Sequence, residues 1–208
     1  MSIAAREMLD EAGFEEAAIV ASNDLDELEI QRLKEAGAKI AVWGVGTHLV
    51  TARDQPALGG VYKLGAIEDE LGEWQPRIKL SELPIKTSTP GIQQVRRYYR
   101  NGQMLGDVVW SEMLGEPAGD TPDFNDSCTE FQNADAYEDL LRPLLREGEL
   151  VASLPSLAEI KRHAQQCLSR LGPEAKRLRE ATNYPVTLES RLAKQKQRMI
   201  FASNDVAD

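Results

Sequence analysis

The sequence is poor in the residues from which many sites are built: two cysteines and two histidines in 208 residues. Cys128 and Cys167 lie far apart, and neither has a Cys or His neighbour at metal-ligand spacing, so no disulfide framework or zinc motif is legible. The expectation is two reduced thiols and no metal site. Aromatics make up 6% of the chain, and 24 Lys and Arg face 34 Asp and Glu, a formal net charge of -10. That balance argues against a protein whose affinity comes from nucleic-acid phosphates or an anionic membrane surface. No apolar run approaches the roughly 18 residues that would span a bilayer. The opening residues, MSIAAREMLDEAG, have helical apolar spacing and acidic residues where a secretory leader needs a basic start and an apolar run. The chain reads as soluble and cytoplasmic, with small molecules or proteins as its ligands.

What is present is a workable core composition, 42% hydrophobic, in a recognisable order. Ile3 to Leu9 has amphipathic helical spacing and is closed by Gly13. Ala17 to Val20, AAIV, is a short run of buried-strand type. In the stretch SNDLDELEIQRLKEAGAKI, Asp24 and Glu27 have capping-box spacing, Leu25, Leu28, Leu33 and Ala36 form a stripe, and Gly37 closes the helix. Ile40 to Trp43 is a second apolar run. Two buried strands joined by one helix predict a parallel unit with a right-handed crossover, whose ligands collect at the carboxyl ends of the strands.

Those ends are ASND and WGVGTH. In the second, Gly44 and Gly46 let the backbone curl with its amides outward, and the Thr47 hydroxyl adds a neutral donor matched to phosphate oxygens. The same glycines would also serve a purely structural bend. In the first, Asp24 reads as the helix cap, leaving Ser22 and Asn23 to meet a ligand hydroxyl. His48 follows the turn with no visible acidic partner and reads as a supporting contact, not a general base.

After Pro56 the pattern changes. GGVYKLGAIEDELGEWQPRIKLSE gives two strand-like runs around an acidic turn, and QQVRRYYRNGQMLGDVVW gives two more around Asn101-Gly102, a strong hairpin signal. Arg96, Arg97, Tyr98, Tyr99 and Arg100 then alternate along a hairpin strand instead of forming a base-stacking surface. The predicted organisation is strand-helix units over 1–58, an antiparallel β-rich segment over 59–113, a loop over 114–135 and a mainly helical segment over 136–208. In the last, Ser156 and Glu159 form a capping-box pair before the apolar face Leu157, Ile160, Ala164, Cys167, Leu168 and Leu171. His163 lies off that face and reads as solvated. Pro173 interrupts, and a final basic helix follows Thr187.

Taken together, AREMLDEAG, IVASNDLDE, WGVGTHLVT, PALGGVYKL, PRIKLSE and KTSTPGIQQVRRYYRNG resemble the C-terminal half of a nicotinate phosphoribosyltransferase. A weaker echo continues into SLAEIKRHAQQCLSRL and NYPVTLESRL, so the resemblance runs along nearly the whole chain. It implies an irregular α/β barrel packed with a β-rich domain. It implies coupling of nicotinate to 5-phosphoribosyl 1-diphosphate, giving nicotinate mononucleotide and diphosphate in NAD salvage, with ATP and Mg2+ as cofactors. By resemblance, Gly44, Val45, Gly46 and Thr47 contact the ribose 5'-phosphate, and Ser22, Asn23 and Asp24 sit beside the ribose hydroxyls. This favours the phosphate turn over the structural bend.

The resemblance stops short of a whole enzyme. A complete barrel takes eight strands and about 250 residues, and this chain shows two clear strand-helix units. The family's base-binding arginine and phosphorylated histidine have no counterpart here, so no catalytic residue is carried over. The expectation is a C-terminal portion that works with an N-terminal half or a homologous subunit. The alternative is an inactive remnant or regulatory module that pairs with a full-length homologue.

Overall fold

A computed structural model describes residues 1–57, 59–83, 86–117, 131 and 133–204. The chain forms two compact units, Met1–Val61 and Tyr62–Asp208.

The first unit follows the helix, strand, helix, strand order of the sequence. Helix α1 (Ser2–Glu11) ends where Gly13 adopts a φ of +81°, a left-handed conformation open to a residue without a Cβ. Arg6 secures the exit from this helix. Its guanidinium donates to the Ala17 and Phe14 carbonyls at 2.5 and 2.6 Å and to Asp10 at 2.8 Å. Strand β1 (Val20–Ser22) leads through helix α2 (Glu27–Glu35) to strand β2 (Val42–Gly44). The strands pair in parallel, with Val20 opposite Val42, Ala21 opposite Trp43 and Ser22 opposite Gly44. β1 starts three residues later than its apolar run and β2 two residues later than its own. A four-residue helix, α3 (Thr47–Val50), follows the glycine turn. Leu25 is the one buried large apolar residue of this unit among those described, while Val20, Val42, Leu49 and Val50 are exposed.

The helix cap requires a correction. Asp24 does not cap α2: Asp26 does, its carboxylate accepting from the Glu29 amide at 2.8 Å. Asn23 and Asp24 instead take positive φ values, +88° and +46°. Asp24-x-x-Glu27 and Asp26-x-x-Glu29 share the same spacing, and the left-handed turn at Asn23 and Asp24 carries the helix start two residues onward.

The second unit is built on a four-stranded sheet. Strands β3 (Ala66–Glu68) and β4 (Trp74–Pro76) form a separate antiparallel pair. Their acidic turn is organised by Asp69, which accepts from the Leu71 and Glu73 amides at 3.0 and 2.9 Å. The hairpin of β5 (Gln93–Arg100) and β6 (Gln103–Ser111) turns at Asn101 and Gly102, both with positive φ as a two-residue hairpin turn demands. A register shift falls between Tyr98 and Tyr99. Strand β7 (Ala136–Asp139) pairs antiparallel with β5 on its other edge. Strands β8 (Leu145–Arg146) and β9 (Glu149–Leu150) make a small hairpin. Helix α4 (Leu157–Arg170) begins with the full capping box of Ser156 and Glu159. Strand β10 (Val186–Leu188) pairs in parallel with β6, giving the sheet order β10-β6-β5-β7, and helix α5 (Ser190–Asn204) follows.

Thus the segment 136–208 supplies strands as well as helices. β10 in particular is too short to announce itself in sequence. The apolar stripe of α4 is exposed at Leu157, Ile160 and Leu168. The predicted loop 114–135 and Cys128 lie largely outside the described residues. Within the described part, Phe131 is fully buried and packs edge-on against Tyr98 with ring centroids 5.7 Å apart, and Val108 completes that cluster.

The first two arginines of the RRYYR stretch, Arg96 and Arg97, are tied into the sheet. Arg96, 2% exposed, forms a two-pronged pair with Asp139 at 2.8 Å and lies under the Tyr137 ring, 4.2 Å from its centroid. Arg97 grips Asp107 in the same fashion, and the Tyr184 hydroxyl donates to that carboxylate at 2.8 Å. A charge-assisted fork of this kind holds register across strands and leaves no free guanidinium for a ligand.

Candidate functional site

The pairing of Ser22 with Gly44 puts the two polar loops of the first unit side by side. Ser22, Asn23, Asp24, Gly44, Gly46 and Thr47 are all exposed there, and Val45 is half-buried. Gly44 eases this proximity: a Cβ built on it would stand 3.0 Å from the Ser22 Cβ and 3.4 Å from the Ala21 carbonyl oxygen. At Gly46 a Cβ would meet nothing within 4 Å. The two glycines therefore do different things, one allowing strands to approach and one leaving space open above the turn.

The turn also carries unused donors. The Leu49 and Val50 amides both bond the Gly46 carbonyl, at 3.0 and 3.1 Å. The Thr47 and His48 amides precede this first closed turn, so the helix provides them no acceptor. An anion above the turn would find these two amides and the Thr47 hydroxyl.

His48 has an acidic partner that lies 22 positions upstream. Its Nδ1 stands 3.5 Å from the Asp26 carboxylate, and the Arg53 guanidinium meets Nε2 at 2.5 Å. Arginine has only donors, so Nε2 accepts and the ring proton sits on Nδ1, facing Asp26. The Asp26 carboxyl is held below its ordinary value of 3.8, first by the Glu29 amide and then by the neighbouring His48, with desolvation opposing. The residue that caps α2 thus also lies beside the helix after the glycine turn, at 3.5 Å from a His48 Nδ1 that makes no hydrogen bond. Sequence reading missed Asp26 and Arg53; the second capping spacing at Asp26 was the available signal.

A cavity of about 400 Å³ opens beside this contact, lined by Asp26, Val45, His48, Leu49 and Arg53 among others. Val45 and His48 are the two sequence-assigned residues on its wall. Gly44, Gly46, Thr47 and the Ser22–Asp24 loop are not part of it. His163, on exposed α4, lies far along the chain from these loops, its Nε2 3.5 Å from the Cys167 sulfur. Cys167 is a free thiol. No described helix is long and apolar enough to cross a membrane.

These features define a mixed α/β chain with a parallel strand-helix unit, two adjoining polar loops and a separate mixed sheet. Residues 92–196 match the family described as the nicotinate phosphoribosyltransferase C-terminal domain. The nicotinate phosphoribosyltransferase of Bacillus subtilis (strain 168) is 39% identical over 194 residues, covering 90% of this chain and 39% of that protein. The Homo sapiens protein of the same name is 41% identical over 187 residues, covering 86% of this chain and 33% of that one. A crystal structure of human nicotinic acid phosphoribosyltransferase superposes with a TM-score of 0.62 at 30% identity, over 95% of this chain and 36% of that one. The chain belongs to the nicotinate phosphoribosyltransferase family. It spans between a third and two-fifths of the length of these relatives.

Proposed function

We propose that this chain is the C-terminal portion of a nicotinate phosphoribosyltransferase and contributes the phosphate clamp of the reaction. That reaction joins nicotinate to 5-phosphoribosyl 1-diphosphate, releasing diphosphate and forming nicotinate mononucleotide for NAD synthesis in the cytoplasm. The observation that carries the reading is the register of Ser22 against Gly44. It sets a turn with open amides beside a loop of exposed hydroxyl, amide and carboxylate side chains. Gly44, Val45, Gly46 and Thr47 take the ribose 5'-phosphate, while Ser22, Asn23 and Asp24 face the ribose hydroxyls. His48, held by Asp26 and Arg53, positions the helix that follows the turn.

Glycosyl transfer needs its phosphorylated ribose fixed while the nicotinate nitrogen approaches the anomeric carbon. Much of the barrier is met by such positioning and by neutralising the departing charge. Neutral amide and hydroxyl donors suit this task in a chain of net charge -10, because they bind an anion through oriented dipoles.

The base pocket and the nucleophile for ATP-linked chemistry come from an N-terminal half or a homologous subunit. The β1–β2 pair and its helix then form the last strand-helix units of an α/β barrel, and the exposed Val20 and Val42 are covered by that remainder. Among the described residues no cluster of three or more His, Cys, Asp or Glu offers a metal cage. ATP and Mg2+ are what the family implies, and this reading assigns no residue of the chain to either.

Isothermal titration with nicotinate mononucleotide tests the reading, first with the chain alone and then with a separately expressed N-terminal half of a relative. Binding that sharpens on adding that half, followed by turnover, supports a split enzyme. Absence of binding in both settings, by protein shown to be folded, overturns it and leaves a remnant or a regulatory module.

A further inference from the structure

Asn101 is the one asparagine of the chain that precedes a glycine, and the β5–β6 hairpin presents the pair at its tip. Both residues are exposed, with φ of +51° and +74°, between the paired Arg100 and Gln103. A Cβ built on Gly102 would meet nothing within 4 Å. The Asn101 backbone amide donates to the Asp135 carboxylate at 2.6 Å. Among the described residues neither the Asn101 carboxamide nor the Gly102 amide has a hydrogen-bond partner.

An unpartnered carboxamide followed by an unpartnered backbone amide is an electrophile and a nucleophile one bond-rotation apart. The Gly102 nitrogen adds to Asn101 Cγ and gives up its proton, the Cγ–Nδ2 bond breaks, and ammonia leaves a five-membered imide. One water then opens the imide at either carbonyl. The products are aspartate and isoaspartate, the latter with its main chain running through Cβ. The missing Cβ of Gly102 removes the chief steric obstacle to the attack. Asn23, Asn133 and Asn183 are followed by Asp24, Ala134 and Tyr184, whose Cβ atoms crowd the attacking nitrogen.

The surroundings make this change felt. The Asp135 amide donates to the Tyr99 carbonyl at 2.9 Å, just before β7 joins β5 with Ala136 opposite Tyr99. A new carboxylate at position 101 adds a like charge beside Asp135, and the isoaspartate lengthens the main chain of a two-residue turn that fixes the β5–β6 register. We propose that Asn101 is a site of spontaneous deamidation, and that its conversion to aspartate and isoaspartate loosens the junction of β5, β6 and β7. The site draws on none of the residues of the phosphate turn in the first unit.

The test ages the full chain in mildly alkaline buffer and follows each asparagine by peptide mass spectrometry, with electron-transfer fragmentation to tell isoaspartate from aspartate. Conversion at Asn101 should outpace that at Asn133 and Asn183 by about tenfold or more, and Gly102→Ala should remove that excess. The converted chains, separated by their added negative charge, should exchange the Tyr99 to Tyr137 amides faster than unconverted ones. Equal rates at the three asparagines, an intact Asn101 while another asparagine converts, or unchanged exchange in the converted fraction would each overturn the proposal. The comparison among asparagines needs no variant, so it stands even where Gly102→Ala fails to fold.

Discussion

Ser22 and Gly44 face each other across the parallel β1–β2 pair so closely that a Cβ on Gly44 would stand 3.0 Å from that of Ser22. Gly44→Ala must therefore move the Ser22 loop by a few tenths of an ångström, at a cost of about 1 kcal/mol. Gly46→Val meets open space and should leave the unfolding midpoint nearly unchanged while abolishing binding of nicotinate mononucleotide. Thermal unfolding and titration of the two variants separate the roles. Unchanged affinity in folded Gly46→Val would remove the phosphate-turn assignment.

Asp26 caps α2 and faces His48, so its two contributions can be divided. Asp26→Ala loses the cap and should lower the unfolding midpoint of the first unit, whereas Asp26→Asn keeps an acceptor for the Glu29 amide and should lower it far less. The folded carboxyl value lies below 3.8. Its contribution is therefore fully present above that value and is lost as pH falls through the lower, folded one. Amide exchange across α2 at decreasing pH checks the window, which should vanish in Asp26→Asn.

Gly106 lies in β6 against the Phe131 ring. An added Cβ would stand 2.6 Å from Phe131 Cζ and 2.8 Å from the Pro185 carbonyl oxygen. Neither neighbour can yield easily, because the ring is buried against Tyr98 and the carbonyl accepts from the Asp107 amide at 2.9 Å. Gly106→Ala should cost roughly 3 kcal/mol, read as a shift in the urea midpoint with the slope unchanged.

Alkali should unfold the second unit through its tyrosines. Burial pushes Tyr98 up to about 12 from 10.0, and burial together with Asp107 raises Tyr184 further; Tyr99 is raised by burial and by Glu138. The unfolded chain ionises first, so the stabilisation is whole below about pH 10 and is lost as pH rises through the folded values. Urea midpoints followed upward from neutral pH should fall from that point. Tyr98→Phe should blunt the fall, and it removes a buried hydroxyl that has no partner among the described residues.

Several elements were legible because they obey rules that act within a few residues. The Asn101-Gly102 hairpin follows from two residues tolerant of positive φ, and the start of α4 follows from the reciprocal bonding of Ser156 and Glu159. The parallel β1–β2 pair follows from two short apolar runs joined by one helix. Local rules also marked their own ambiguity: Asp24 and Asp26 fit the same capping spacing, and the positive φ of Asn23 and Asp24 decided between them.

By itself, the sequence determined the element order of the first unit, the glycine turn at its end, the central hairpin and the family resemblance. These depend on backbone permissiveness, capping and apolar spacing, which neighbouring residues settle among themselves. The tertiary structure alone decided that β10 joins β6, that Asp26 meets His48, that Asp139 and Asp107 neutralise Arg96 and Arg97, and that Asp135 meets the Asn101 amide. Those side-chain partners lie between 10 and 43 positions apart. Register and packing bring such residues together, and no periodicity within either segment carries that information.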